Sequence, residues 1–240
     1  MHSLFYFTIS DFMNNELIKY LAGFITNNRF ERFNEVIEYR TRYITIILED
    51  IYQPHNASAV LRSCECFGVQ DVHIIENNNK YSVNPDVALG SNKWLDIIKY
   101  NTLKNNTVSA IKQIKKKGYR IVATTPQINK VNLDNFDIKK GKVALLFGTE
   151  LNGLSDEALN LADEFLNIPM FGFTESFNIS VTVAIILKTL IYKLHHSNII
   201  WKLSKKERED LKLKWLKNSI KNSDFLIKNY KKKNNNISIF

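Results

Sequence analysis

The sequence predicts an α/β fold with a mostly parallel sheet, and three observations carry that expectation. Short runs rich in β-branched and apolar residues recur from Tyr43 onward. Segments with apolar residues three and four apart lie between them. The loops that follow the runs hold polar side chains that neither element needs. Strands alternating with helices at this pitch imply crossover connections, hence parallel pairing.

In chain order, "NELIKYLAGFI" and "RFERFNEVIEY" read as two helices separated by "TNN". "YITIIL" (43–48) opens the strand series, followed by "VHII" (72–75), "LDIIKY" (95–100), "RIVATT" (120–125), "VALLF" (143–147) and "EFLNIPM" (164–170). Helical patterns fall between them at "NASAVLRSCECFG" (56–68), "NTVSAIKQIKKKG" (106–118) and "LSDEALNLAD" (154–163). The glycine that ends the second of these is a helix-stop signal. "FNISVTVAIILKTLIYKL" (177–194) has β-branched residues that argue strand and a length that argues helix. The spacing of Leu187, Leu190, Ile191 and Leu194 decides for a helix with Ser176 or Asn178 near its N-cap.

Composition bounds the function. At 240 residues the chain can form one good core with a small appendage. Cys64 and Cys66 are too close for an unstrained bridge and too few for a structural zinc site, so they read as reduced thiols of a cytoplasmic protein. No metal cluster is apparent. No apolar run approaches the roughly eighteen residues of a membrane span, and no signal peptide is expected. The N-x-S triplets at Asn56 and Asn178 are therefore not expected to be glycosylated. Net charge is +9, and residues 201–240 hold twelve Lys and Arg against four Asp and Glu. That basic end also carries Trp201, Trp215, Phe225 and Tyr230, and lysines with aromatics suit RNA phosphates and bases. Lys212, Lys214, Lys217 and Lys221 are the candidate phosphate contacts; a solvated helix face with a frayed tail is the alternative.

Three post-strand loops are candidates for chemistry: "QPHNASAVLRS" with Asn56 and Arg62, "FGTELNG" with Glu150, and "IPMFGFTESFNIS" with Ser176 and Asn178. Ligands of open α/β sheets gather at the carboxyl ends of strands, so the three should converge on one pocket. Each residue also has a plainer explanation. Asn56 and Asn178 could be helix caps, Arg62 a surface ion-pair partner, Glu150 a loop acid, and Gly148 and Gly153 turn residues.

As a set, "PHNASAVLRSCECFGVQDVHII", "ALLFGTELNGLSDEALNLAD" and "IPMFGFTESFNISVTVAIIL" resemble the three signature motifs of the SpoU-type RNA ribose 2′-O-methyltransferases. The resemblance runs from about Arg29 to Lys193. "ALGSNKWLDI" (88–97) is similar to the TrmH-type branch, which acts on tRNA guanosine, and "WKLSKKEREDLKLKW" resembles that branch's helical extension more loosely. No G-x-G-x-x-G follows any strand, which disfavours an ordinary dinucleotide-type methyltransferase.

The resemblance implies a deep trefoil knot in a mostly parallel sheet flanked by helices, a homodimer, and S-adenosylmethionine as cofactor. It implies a catalytic domain at residues 43–197 between helical extensions at 1–42 and 198–240. Thr124, Gly148, Ile168 and Phe177, with Met170 as a further candidate, are then the cofactor-binding positions; Phe177 stands where relatives usually carry Leu. Arg62 is implied as the catalytic residue, with Asn56, Glu150, Ser176 and Asn178 around it. A guanidinium keeps its proton in proteins, so Arg62 is read as a bidentate clamp on the phosphate beside the target ribose. The expected substrate is tRNA at a D-loop guanosine; rRNA, another tRNA position, or a non-catalytic RNA-binding module are the alternatives.

Overall fold

The computed structural model describes residues 14–125, 131–149 and 151–235. By its internal contacts the chain divides into two units, residues 41–201 and the two ends taken together, up to Arg40 and from Lys202 on.

The 41–201 unit is built on β1 (Ile44–Glu49), β2 (Asp71–Ile75), β3 (Asp96–Tyr100), β4 (Arg120–Thr124), β5 (Val131–Asn132), β6 (Val143–Phe147) and β7 (Glu164–Asn167). They form one sheet in the order β3-β2-β1-β6-β4-β7-β5, and every pairing is parallel. β1 and β6 lie at its centre, in register from Ile44 opposite Val143 to Leu48 opposite Phe147, and both are buried along their full length. Burial on both faces is why these strands read as unbroken apolar runs instead of alternating ones. Ile44, Ile46, Leu48, Val143, Leu145 and Phe147 share one face, packed with α3 (Pro54–Cys66) and α7 (Ile179–His195). Ile47, Ala144 and Leu146 point to the other, against α5 (Thr107–Lys116) and α6 (Asp156–Leu161). The short α4 (Pro85–Ala88) packs beside α3. Thr41 Oγ1 donates to Trp201 O at 2.7 Å, tying the first and last residues of the unit together.

Every expected strand is present, with β7 ending at Asn167 instead of running to Met170. The two-residue β5 is an addition: Val131–Asn132 pairs with Leu166–Asn167 and is too short to leave a periodic signature. The 177–194 segment is helical, and Asn178 caps it, accepting from Ser180 N at 2.9 Å. Asn56 is not a cap. Gln53 holds the N-cap position of α3 and Pro54 the first turn, so Asn56 lies inside the helix with its side chain turned to other work.

The terminal unit comprises a helix over residues 14–22, α2 (Asn27–Ile37), α8 (Lys205–Ser219) and α9 (Ser223–Asn235), the first of these being α1 in chain order. Among its buried side chains are Leu17, Ile18, Leu21, Phe33, Ile37, Arg40, Leu203, Leu211, Trp215 and Leu216. A capping box between Ser204 and Glu207 starts α8. Trp215 meets Phe33 edge-on at 5.6 Å, with the Arg40 guanidinium over its ring. Arg208 and Lys202 both reach Glu38.

Candidate active site

A cavity of about 470 Å³ opens at the carboxyl ends of β4, β6 and β7. Thr124, Gly148, Ile168, Met170, Ser176, Phe177 and Asn178 all line it, so the second and third loops converge as expected. Its volume is that of a small-molecule site. Leu154, Leu159, Leu166 and Ile186 supply apolar wall and Glu175 a carboxylate, none of them singled out by sequence. The Thr124 hydroxyl donates to Leu146 O at 2.9 Å, so its proton is not available to a ligand.

The loop after β6 is closed, not loose. Thr149 and Gly153 exchange two main-chain hydrogen bonds of 2.9 and 3.0 Å, and Asn152 N donates to Thr149 Oγ1 at 3.0 Å. A Cβ on Gly148 would overlap the Gly153 carbonyl and lie 2.5 Å from Leu154 N. Gly153 has φ of +67°, a backbone state that costs other residues. Both glycines are thus required by the loop's own closure. Glu150 lies outside the described residues.

The carboxyl end of that loop is held by Glu49, which sequence reasoning missed. Its buried carboxylate accepts from Thr107 Oγ1 at 2.6 Å, Ser155 N at 2.9 Å and Ser155 Oγ at 2.7 Å. Three donors make a buried carboxylate tolerable and join β1 to the starts of α5 and α6. The available signal was an acid closing an otherwise apolar strand. The neighbouring Asp50 works similarly. Burial alone would raise its carboxyl, but hydrogen bonds from Asn79, Asn78 and Asn77 outweigh that and hold it below the usual range.

Among the described residues the first loop joins the cavity through Asn56. Asn56, 3% exposed, accepts from Asn178 Nδ2 at 3.1 Å. Arg62 is the exception. Six residues further along α3 it is turned roughly 120° and displaced about 9 Å along the axis. It is exposed and lines a different groove of about 490 Å³, with Ala59, Cys66, Val87, Val181 and Ile185. Among the described residues it makes no hydrogen bond or ion pair. The expectation that Arg62 shares the pocket with Asn56 and Asn178 therefore does not hold within one chain, because helical periodicity sends the two ends of the motif to different faces.

The four candidate RNA-contacting lysines lie in the terminal unit. Lys217 and Lys221 are exposed. Lys214 is half-buried, and Lys212 sits with its ammonium 5.7 Å from the Phe30 ring, its pKa lowered by burial. Of the aromatics proposed to stack on bases, Trp215 is core, Tyr230 packs on Tyr20 at 4.7 Å, and Trp201 stacks on His195 at 4.3 Å in the other unit. Phe225 remains exposed. The described residues contain no group of three or more His, Cys, Asp or Glu placed to hold a metal, and no helix long and apolar enough to cross a membrane.

Comparison with known proteins agrees with this geometry. Residues 43–188 match the SpoU rRNA Methylase family. A tRNA (guanosine(18)-2′-O)-methyltransferase of Borreliella burgdorferi is 44% identical over 217 residues, covering 89% of this chain and 97% of that protein. The protein of the same name from Thermus thermophilus is 35% identical over 68% of this chain and 81% of its own length. The crystal structure of the A. aeolicus TrmH/SpoU tRNA modifying enzyme superposes with a TM-score of 0.72 at 29% identity, covering 81% of this chain and 98% of that one.

Proposed function

This chain belongs to the SpoU rRNA Methylase family, and we propose that it methylates the ribose 2′-hydroxyl of a tRNA D-loop guanosine with S-adenosylmethionine as donor. The observation that carries the proposal is the single cavity lined by the expected residues of both the second and third loops. The names of the relatives, matched over nearly the full length of the first, support the guanosine and point to position 18. The deep trefoil knot belongs to the same reading; the likeness to the A. aeolicus structure and the position of β6 between β1 and β4 support it.

The cavity suits the cofactor. Leu154, Leu159, Leu166 and Ile186 fit a flat heterocycle, main chain at Thr124, Gly148 and Ile168 fits its polar edge, and Glu175 fits a positive charge. When bound, S-adenosylmethionine supplies an electrophilic methyl group on a sulfonium. The chain's own residues position the nucleophile. Asn178, fixed as a cap and bonded to Asn56, holds the third loop against α3. Arg62 clamps the phosphate beside the target ribose and stabilises charge developing on the hydroxyl oxygen. Its separation from the cavity within one chain supports the homodimer we propose, in which a second copy covers the exposed apolar residues Phe171, Phe173 and Val181. A cytoplasmic location belongs to the same reading, supported by the tRNA-directed relatives.

Incubating the purified protein with tRNA and labelled cofactor, then digesting with alkali, tests the reading. A ribose-methylated dinucleotide should survive, because hydrolysis needs a free 2′-hydroxyl. Label confined to bases would refute it, and a monomeric mass in solution would refute the dimer.

A further inference from the structure

We propose that Gln53 is a substrate-contacting residue, presenting its side-chain N–H groups to an oxygen of the RNA beside the target ribose; the inference rests on the RNA methyltransferase reading above. It comes from the direction of a chain of three carboxamides. Asn178 Oδ1 accepts from Ser180 N at 2.9 Å and from Ser180 Oγ at 2.7 Å. A main-chain N–H can only donate, so the oxygen of Asn178 must face it and its Nδ2 must face away. That Nδ2 donates to Asn56 Oδ1 at 3.1 Å, which leaves Asn56 Nδ2 to donate to Gln53 Oε1 at 3.1 Å. The polarity set at the first turn of α7 therefore passes through a buried asparagine and ends in an exposed donor. Gln53 Nε2 has no partner among the described residues, and within α3 the Gln53 side chain meets the Asn56 side chain instead of capping a main-chain N–H.

The position fits a substrate contact. The chain runs from Asn178, in the wall of the cavity, to the exposed exit of β1, where Tyr52, Gln53 and His55 are all solvent-facing. A donor held in one orientation suits an RNA oxygen, phosphate above all, and repels nothing an anionic polymer brings. It is also coupled to the cavity, since whatever fixes the third loop fixes which way Gln53 points.

Gln53→Glu separates this from a packing role. A glutamate still accepts from Asn56, so the internal chain stays satisfied, but it offers no donor and adds a negative charge. With the full chain, an unmodified tRNA transcript and S-adenosylmethionine, Gln53→Glu should raise KM for tRNA roughly tenfold or more. Melting temperature and cofactor dissociation constant should stay at wild-type values. Gln53→Ala should raise KM for tRNA by a smaller factor, having lost the donor without gaining a charge. A Gln53→Glu variant with wild-type KM, beside a Gln53→Ala variant that loses only thermal stability or cofactor affinity, would overturn the proposal. If the wild-type protein transfers no methyl group to RNA, the functional reading fails instead, and filter binding of the same tRNA to the three proteins still decides the role of Gln53.

Discussion

Replacing Gly148 with alanine tests how the cofactor cavity is built. The new Cβ would overlap the Gly153 carbonyl, and neither group is a flexible side-chain end that can step aside. The loop must therefore open, giving up the two Thr149–Gly153 main-chain bonds. At about 1 kcal/mol net for each, closure becomes less favourable by on the order of 2 kcal/mol. A ligand that needs the closed loop must then supply up to that free energy, so the dissociation constant for S-adenosylmethionine should rise by up to about 30-fold. Titration calorimetry on the folded variant reads this directly. Gly153→Ala meets no atom within 4 Å, yet must hold φ of +67°, which costs roughly 1–2 kcal/mol and should weaken binding by a smaller factor. Gly172→Ala, in the third loop and with its nearest neighbour at 4.0 Å, should change nothing. Cofactor affinity within twofold of wild type in Gly148→Ala would show that the closed hairpin is not part of the binding state.

Arg62→Ala should lower turnover by orders of magnitude while leaving cofactor affinity within a few-fold, since the side chain lies outside the cavity; Arg62→Lys should rescue poorly because a point charge cannot replace a planar fork. Equal loss of both quantities would make Arg62 a pocket-building residue. His73 is buried, held neutral with its pKa pushed down to about 4 by burial and the Lys117 charge, with Nδ1 against Tyr100 Oη and, among the described residues, Nε2 without a partner. In the unfolded chain it protonates near its ordinary value, so stability is fully present above about pH 6.5 and falls by roughly 2 kcal/mol by pH 5 from this group. Denaturant titrations of His73→Gln should lose that part of the pH dependence, and an unchanged profile would refute the assignment. Lys217→Gln with Lys221→Gln should lower the slope of log RNA affinity against log salt by up to roughly 2 units, at about 0.7 to 0.9 per contact. Lys212→Gln, losing its place over Phe30, should instead act mainly on melting temperature.

The parallel sheet was legible in the sequence, because β1 and β6 are buried on both faces and could only be written as continuous apolar runs. Which loops meet was legible too: the second and third follow β6 and β7, strands adjacent to β4, and their carboxyl ends leave no other place for Gly148 and Phe177 to go. The helix at 177–194 was legible from its apolar spacing although its β-branched residues argued the other way. What tertiary structure decided were relations between segments far apart in the chain. Glu49 is one ordinary acid until Thr107 and Ser155 arrive with three donors. Gly148 is required by a carbonyl five residues on, which only the folded loop brings back to it. Trp215 and Tyr230 look free for bases in the sequence, yet they find Phe33 and Tyr20 from the other end of the chain. Arg62 and Asn56 belong to one motif but to different faces of α3, and Asn56 acquires its meaning from Asn178, 122 residues away. Local patterns record burial, which acts on each residue alone. Partners and directions depend on long-range closure, and no short window of sequence contains both sides of such a contact.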